Sequence, residues 1–115
     1  MITLWHNPRC SKSRQTLAIL EASGTAVTVR RYLEDPPSLA ELEAARSALG
    51  CRPIEMMRSN EAQFKELGLR KDSDDGQLMK AMADAPILIE RPIAFKGTKA
   101  IIGRPPEAVN DLLSE

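Results

Sequence analysis

The chain has 115 residues, 43% of them hydrophobic and 28% charged, an ordinary balance for one globular domain that needs no metal or disulfide staple. Sixteen Lys and Arg against sixteen Asp and Glu leave no net charge, which points away from nucleic acid and membrane partners, and 3% aromatic residues offer no base-stacking platform. Two cysteines, with no secretory signal and no apolar run of membrane-spanning length, lead us to expect a reducing, cytoplasmic setting.

Residues 1–5 read as a strand, because Ile2-Thr3-Leu4-Trp5 is apolar or β-branched. A helix is expected over 11–23, with Leu17, Ile19 and Leu20 on its apolar side and Gly24 as its stop. Val27, Val29 and Tyr32 nearly alternate within 26–33, a second strand. Strand, short helix and strand make a βαβ unit with parallel pairing and a right-handed crossover.

Pro36-Pro37 ends that strand. Ser38-Leu39-Ala40-Glu41 is a capping box for a helix that turns Leu39, Leu42 and Leu49 to one face and ends at Gly50. Short helices are expected through 53–86: one over 61–67 ending at Gly68, and one over 74–85 starting behind Ser73 and stopped by Pro86. Ile87-Leu88-Ile89 is a brief apolar stretch. Strands at 93–96 and 99–102 flank Gly97-Thr98, a two-residue hairpin signal. Pro105-Pro106-Glu107 opens a last helix with Val109, Leu112 and Leu113 turned inward. The order is β-α-β, a helical insertion at about 38–86, then β-β-α. That order predicts an α/β, thioredoxin-like fold and a single domain over 1–115.

Cys10 carries the chemistry. It sits in Trp5-His6-Asn7-Pro8-Arg9-Cys10-Ser11-Lys12-Ser13-Arg14, between the first strand and the first helix. A thiol before a helix N-terminus faces unpaired backbone N–H groups and the positive end of the dipole, and both favour the thiolate. Arg9, Lys12 and Arg14 add positive charge nearby in sequence. The same geometry binds oxyanions. The alternative is a small buried hydrophobe, but a charged, proline-containing loop is a poor place for one.

Ser13 stands where a C-x-x-C motif would have its second cysteine, so no local disulfide can form. Cys51 is the other internal thiol and shows no activating neighbour. Two cysteines and one histidine without C-x-x-C give no zinc site. A phosphatase-like loop places arginine six positions after its cysteine; here positions 16 and 57 are Thr16 and Met57. Arginines for an anion must therefore come from elsewhere. Arg91 and Arg104 each precede a proline, which biases their backbone to be extended, and Arg58 lies at a junction between helical segments. Each is either a solvated surface arginine or an oxyanion ligand. In a thioredoxin-like fold Pro92 would follow a cis bond and lie beside Cys10. His6 is either a buried, hydrogen-bonded ring or an electrostatic support for the thiolate.

His6-Asn7-Pro8-x-Cys10, Arg58-x-Asn60, Ile87-Leu88-Ile89-x-Arg91-Pro92-Ile93 and Arg104-Pro105-x-Glu107 together resemble the ArsC family, the glutaredoxin-dependent arsenate reductases. The match extends over essentially the whole chain. The resemblance implies Cys10 as nucleophile and Arg58, Arg91 and Arg104 as the oxyanion set, with His6, Asn7, Ser13 and Pro92 in support. It implies reduction of arsenate to arsenite with glutathione as co-substrate, glutaredoxin as protein partner, and no metal or bound organic cofactor. Ser11-Lys12-Ser13 departs from the Gly-Thr-Ser of better-known members, and the chain ends soon after Arg104, as in the short YfgD-type branch. Two other readings stand beside it. One is a glutathione-linked thiol oxidoreductase with another substrate. The other is a Spx-like regulator that binds RNA polymerase, though such regulators typically carry C-x-x-C.

Overall fold

A computed structural model of the chain describes residues 1–114. The apolar start of the sequence forms β1 (Ile2–Trp5), followed by α1 (Ser11–Ala22) and β2 (Val27–Arg30). Next come α2 (Leu39–Leu49), α3 (Ala62–Glu66) and α4 (Asp75–Asp84), then β3 (Ile93–Lys96), β4 (Lys99–Ile102) and α5 (Asn110–Leu113). Single 3₁₀ turns cover Pro53–Met56, Pro86–Leu88 and Pro106–Val109. The chain divides into two compact units, Met1–Asp35 with the chain from Arg91 onward, and Pro36–Glu90.

The first unit holds the sheet, in the order β2-β1-β3-β4. β1 and β2 are parallel, as the βαβ reading requires, and β3 pairs antiparallel with both β1 and β4. With α1 and α5 packed on it, this is the thioredoxin-like fold, its two halves separated in the chain by the helical segment. Ile2 and Leu4 alternate onto one face of β1 and pack with Ala94, Leu20, Val109 and Leu112. Leu20 is fully buried, so cutting it to Ala would cost about 2–5 kcal/mol. On the other face Trp5 and Phe95 stack at 4.7 Å, tilted by 54°.

The second unit is helical. Ser38 Oγ accepts from the Glu41 N–H at 3.1 Å and Glu41 Oε1 accepts from the Ser38 N–H at 2.9 Å, so the capping box read from the sequence forms at the start of α2. Gly50 closes that helix in the left-handed region at φ 66°. Leu42, Met56, Leu78, Met82 and Leu88 are fully buried. Met57 and Ile89 form an antiparallel bridge.

Several boundaries differ from the sequence reading. β2 stops at Arg30 rather than running to 33, because the chain turns there: the N–H groups of Glu34 and Asp35 both bond the Arg31 carbonyl. Leu39, read on one face with Leu42 and Leu49, is 46% exposed, since it is the first residue after the cap and the buried stripe begins at Leu42. Asp74, not Ser73, caps α4, its carboxylate accepting from the Gly76 N–H, while Ser73 Oγ accepts from the Arg70 N–H. The last helix opens as the 3₁₀ turn after Pro105, and Leu113 is only half-buried. In α1 the buried positions are Ser13, Thr16 and Leu20, so two hydroxyl residues share the inward stripe.

Candidate active site

Sheet register brings distant parts of the sequence to one place. Trp5 pairs with Arg30 on β2 and with Ile93 on β3, and Ile93 pairs with Ile102 on β4. These four residues form a row at one end of the sheet. The chain leaves β1 there toward Cys10, enters β3 there from Arg91-Pro92, and leaves β4 there through Gly103-Arg104. The N-terminus of α1 lies at the same end. Both Arg91-Pro92 and Arg104-Pro105 are cis peptide bonds; the first is the one expected from the fold.

Cys10 is the N-cap residue of α1, with extended backbone at φ −94° and ψ 123°. An N-cap side chain normally accepts from the second and third N–H groups of its helix, a role usually filled by Ser, Thr, Asp or Asn. Here the residue is cysteine: its side chain makes no cap hydrogen bond of ordinary geometry, but the backbone N–H groups of Ser13 and Lys12 face the sulfur and favour its anion. Burial pushes the thiol up, but the Ser13 N–H, the hydrogen bond and charge of Arg91, and the Lys12 N–H together outweigh it, so the pKa falls below its ordinary value. Each of these groups is better satisfied by thiolate than by thiol.

The positive charges next to Cys10 in sequence do not supply this effect. Arg14 turns its guanidinium onto the Pro8 carbonyl at 2.9 Å, and Lys12 contributes its backbone, not its ammonium. The charge comes from Arg91, far along the chain. Arg104 adds a second guanidinium, with Nη2 at 3.7 Å from Cys10 Sγ and Nε donating to the Arg91 carbonyl at 2.8 Å. That contact is long and part-buried, and it is Arg91, not Arg104, that lowers the Cys10 pKa. It does hold a forked donor beside the sulfur.

The loop before Cys10 is fixed by His6, Asn7 and Ser13, all buried. Asn7 accepts the Cys10 N–H on its carbonyl and the Arg9 N–H on Oδ1, both at 3.0 Å, and donates its own N–H to Ser13 Oγ at 3.0 Å. His6 Nδ1 and Ser13 Oγ share a hydrogen bond of 2.6 Å. Ser13 thus turns its hydroxyl inward to the loop and its N–H toward the sulfur. Burial presses the His6 pKa below 6.5, and the charges of Arg31 and Arg14 press it further against a smaller opposing effect of Glu21. The ring is therefore neutral near pH 7 and gives the thiolate no cationic support. It acts through Ser13. Arg31 also walls a cleft of about 250 Å³ beside His6, Asn7 and Pro8; Cys10 does not line it.

Arg58 belongs to the second unit. Its Nε meets Glu61 at 3.0 Å and its Nη1 meets Glu90 at 3.4 Å, while its N–H donates to the Leu88 carbonyl at 2.8 Å. Cys51 is half-buried, and burial and Glu55 push its thiol up against the opposing charge of Arg46. The structure thus gathers Cys10, Arg91, Arg104, Pro92, His6, Asn7 and Ser13 within one unit. Sequence reasoning missed Gly103 and Thr16, which meet beneath Arg104. The available signal was a glycine before Arg104-Pro105 at a point where no turn calls for one. No helix among the described residues is long and apolar enough to cross a membrane.

The ArsC family model matches residues 5–112. An arsenate reductase of Neisseria meningitidis serogroup A is 45% identical over 114 residues, covering 97% of each chain. The uncharacterized protein YfgD of Escherichia coli K12 is 44% identical, covering 97% of this chain and 96% of its own. An arsenate reductase from Vibrio cholerae superposes with a TM-score of 0.92 at 46% identity, over 96% of this chain and 95% of that one.

Proposed function

Because the chain belongs to the ArsC family, we propose that it is an oxidoreductase that reduces arsenate to arsenite, with glutathione and glutaredoxin supplying the electrons. The observation that supports this most is the Cys10 sulfur at the N-terminus of α1, its pKa lowered by Ser13, Arg91 and Lys12 and its side flanked by the Arg104 fork. A thiolate nucleophile and guanidinium donors at one point suit attack on a tetrahedral oxyanion.

In this scheme the Cys10 thiolate attacks arsenic. An As–S bond forms and one arsenate oxygen leaves, protonated, as water. Glutathione displaces a second oxygen in the same way. A glutaredoxin thiolate then attacks the glutathione sulfur. The new S–S bond forms as the arsenic–glutathione bond breaks, and its electron pair stays on arsenic, taking As(V) to As(III). Hydrolysis of the remaining As–S bond releases arsenite and restores Cys10. Both electrons come from thiols, so no resident cofactor enters.

Arg91 and Arg104 neutralise the arsenate oxygens and the charge that develops on them. The Arg58-x-Asn60 motif gives Arg58 the same role by its resemblance to the family. His6, Asn7 and Ser13 hold the loop, and Pro92 sets the departure of Arg91. The whole chain, insertion included, works as one domain, in the reducing cytoplasm that a glutathione-dependent reaction requires.

The test is arsenic speciation with purified protein, glutathione and glutaredoxin. Arsenite should accumulate with the parent chain and not with Cys10→Ser. No arsenite above the protein-free rate would refute the proposal. Equal turnover of a glutathione mixed disulfide without any of arsenate would favour the thiol oxidoreductase instead.

A further inference from the structure

We infer that Gly103 is a positioning residue for both arginines beside Cys10, and that it is glycine because a helix and a proline ring occupy the space a side chain would need. A Cβ built at Gly103 would lie 2.6 Å from Thr16 Oγ1, 3.2 Å from Thr16 Cγ2 and 2.9 Å from Pro92 Cγ. Two of these approaches are closer than real Cβ contacts allow. Conformational freedom is not the reason: Gly24, Gly50, Gly68 and Gly97 have left-handed φ and open space around them, whereas Gly103 has neither.

The consequences run to both guanidiniums. The Gly103 N–H donates to the Pro92 carbonyl at 2.9 Å, which ties the end of β4 to the residue after Arg91. Arg104 follows directly and donates from Nε to the Arg91 carbonyl at 2.8 Å. Thr16 is fully buried on the inner face of α1, its hydroxyl donating to the Lys12 carbonyl at 2.9 Å. Gly103 thus lets β4 close onto the helix that presents Cys10. A methyl group there has two ways out. It pushes Pro92 and hence Arg91 away from the helix, or it lifts Arg104 off the sulfur.

This rests on the reading of Arg91 and Arg104 as partners of the Cys10 thiolate and of the anion. The experiment is the pH profile of Cys10 alkylation in a Cys51→Ser background, with thermal melts of every variant. Gly103→Ala should move the profile to higher pH, in the direction of Arg91→Gln, and slow alkylation at neutral pH by about tenfold, the scale of one weakened charged hydrogen bond. Thr16→Ala removes the shortest approach, Oγ1, and the tight one, Cγ2, and leaves only the 2.9 Å approach to the proline ring, which can pucker away. The double variant should therefore recover most of the profile, whereas Thr16→Ser, which keeps Oγ, should not rescue Gly103→Ala.

A folded Gly103→Ala with the parent profile would overturn the inference, as would an Arg91→Gln profile that does not move. If Gly103→Ala fails to fold, the double variant decides. Refolding with a recovered profile supports steric positioning, and continued misfolding overturns it. Arsenite formation is read separately on the parent chain, so a protein that fails to reduce arsenate leaves the alkylation result intact.

Discussion

Replacing Arg91 by Gln probes the side chain that favours the Cys10 anion. Arg91 supplies both a hydrogen bond and a charge to the Cys10 sulfur, while the N–H groups of Ser13 and Lys12 remain in the variant. A hydrogen bond to a charged group contributes about 1.5–3 kcal/mol, so its loss should lower the thiolate fraction by about tenfold to a hundredfold where the thiol is mostly protonated. The sign follows from the direction of the shift. Arg91 favours the anion, so without it the thiol pKa rises and alkylation by iodoacetamide at neutral pH slows. Well above both pKa values each protein is fully thiolate and the rates converge. The variant should end slightly faster there, because a more basic thiolate is the better nucleophile. Arg91→Lys should restore part of the ionisation through charge alone but not anion binding, since an ammonium cannot reproduce the guanidinium fork. A uniform slowing at every pH would mean lost access rather than lost ionisation, and would refute the electrostatic reading; so would an unmoved profile.

Other consequences are as direct. Cys51→Ser should leave arsenate turnover near that of the parent, because burial and Glu55 raise that thiol and an external thiol completes the scheme; abolished turnover in a folded variant would require an internal resolving cysteine. His6 has a folded pKa below 6.5, so as pH falls through that value the unfolded chain takes up the proton first and stability declines until the lower folded pKa is passed. His6→Gln should flatten that step in melts across the window, and an unchanged pH dependence would show that another group carries it. Ser38→Ala should cost about 0.5–2 kcal/mol in chemical denaturation, the range for losing an N-cap, and no measurable loss would mean that the box seen at Ser38 and Glu41 adds nothing to stability.

Much of the fold was legible because its signals are local. The capping box at Ser38, the Gly97-Thr98 hairpin and the strand–helix–strand opening each depend on residues within a few positions of one another. The candidate nucleophile was legible for the same reason, as a cysteine at a strand-to-helix junction. What activates it was not. Arg9, Lys12 and Arg14 are neighbours only in sequence, and helix geometry turns Arg14 to the Pro8 carbonyl and leaves Lys12 to contribute through its backbone. Arg91 reaches the sulfur only because β3 runs antiparallel to β1 with Ile93 opposite Trp5, a register that no local pattern encodes. The family motifs carried that information in place of physics. His6 shows the converse: the sequence left a buried, hydrogen-bonded ring and a cationic support both open, and its burial and bond to Ser13 favour the first. Thr16 and Gly103 were invisible because their importance is a distance between two segments, not a property of either.

The central claim is that a reactive thiolate and an oxyanion site coincide at Cys10. Sulfate and phosphate are near isosteres of arsenate and suit the same forked donors without being reduced by thiols. The most direct measurement is alkylation of Cys10 at fixed pH and ionic strength while sulfate, phosphate or arsenate is titrated in. Saturable protection by all three is expected in the Cys51→Ser protein, with its loss in Arg104→Lys despite the retained charge. Alkylation that is indifferent to these anions, or protection that survives equally in Arg104→Lys, would leave a reactive cysteine without its substrate site and contradict the account.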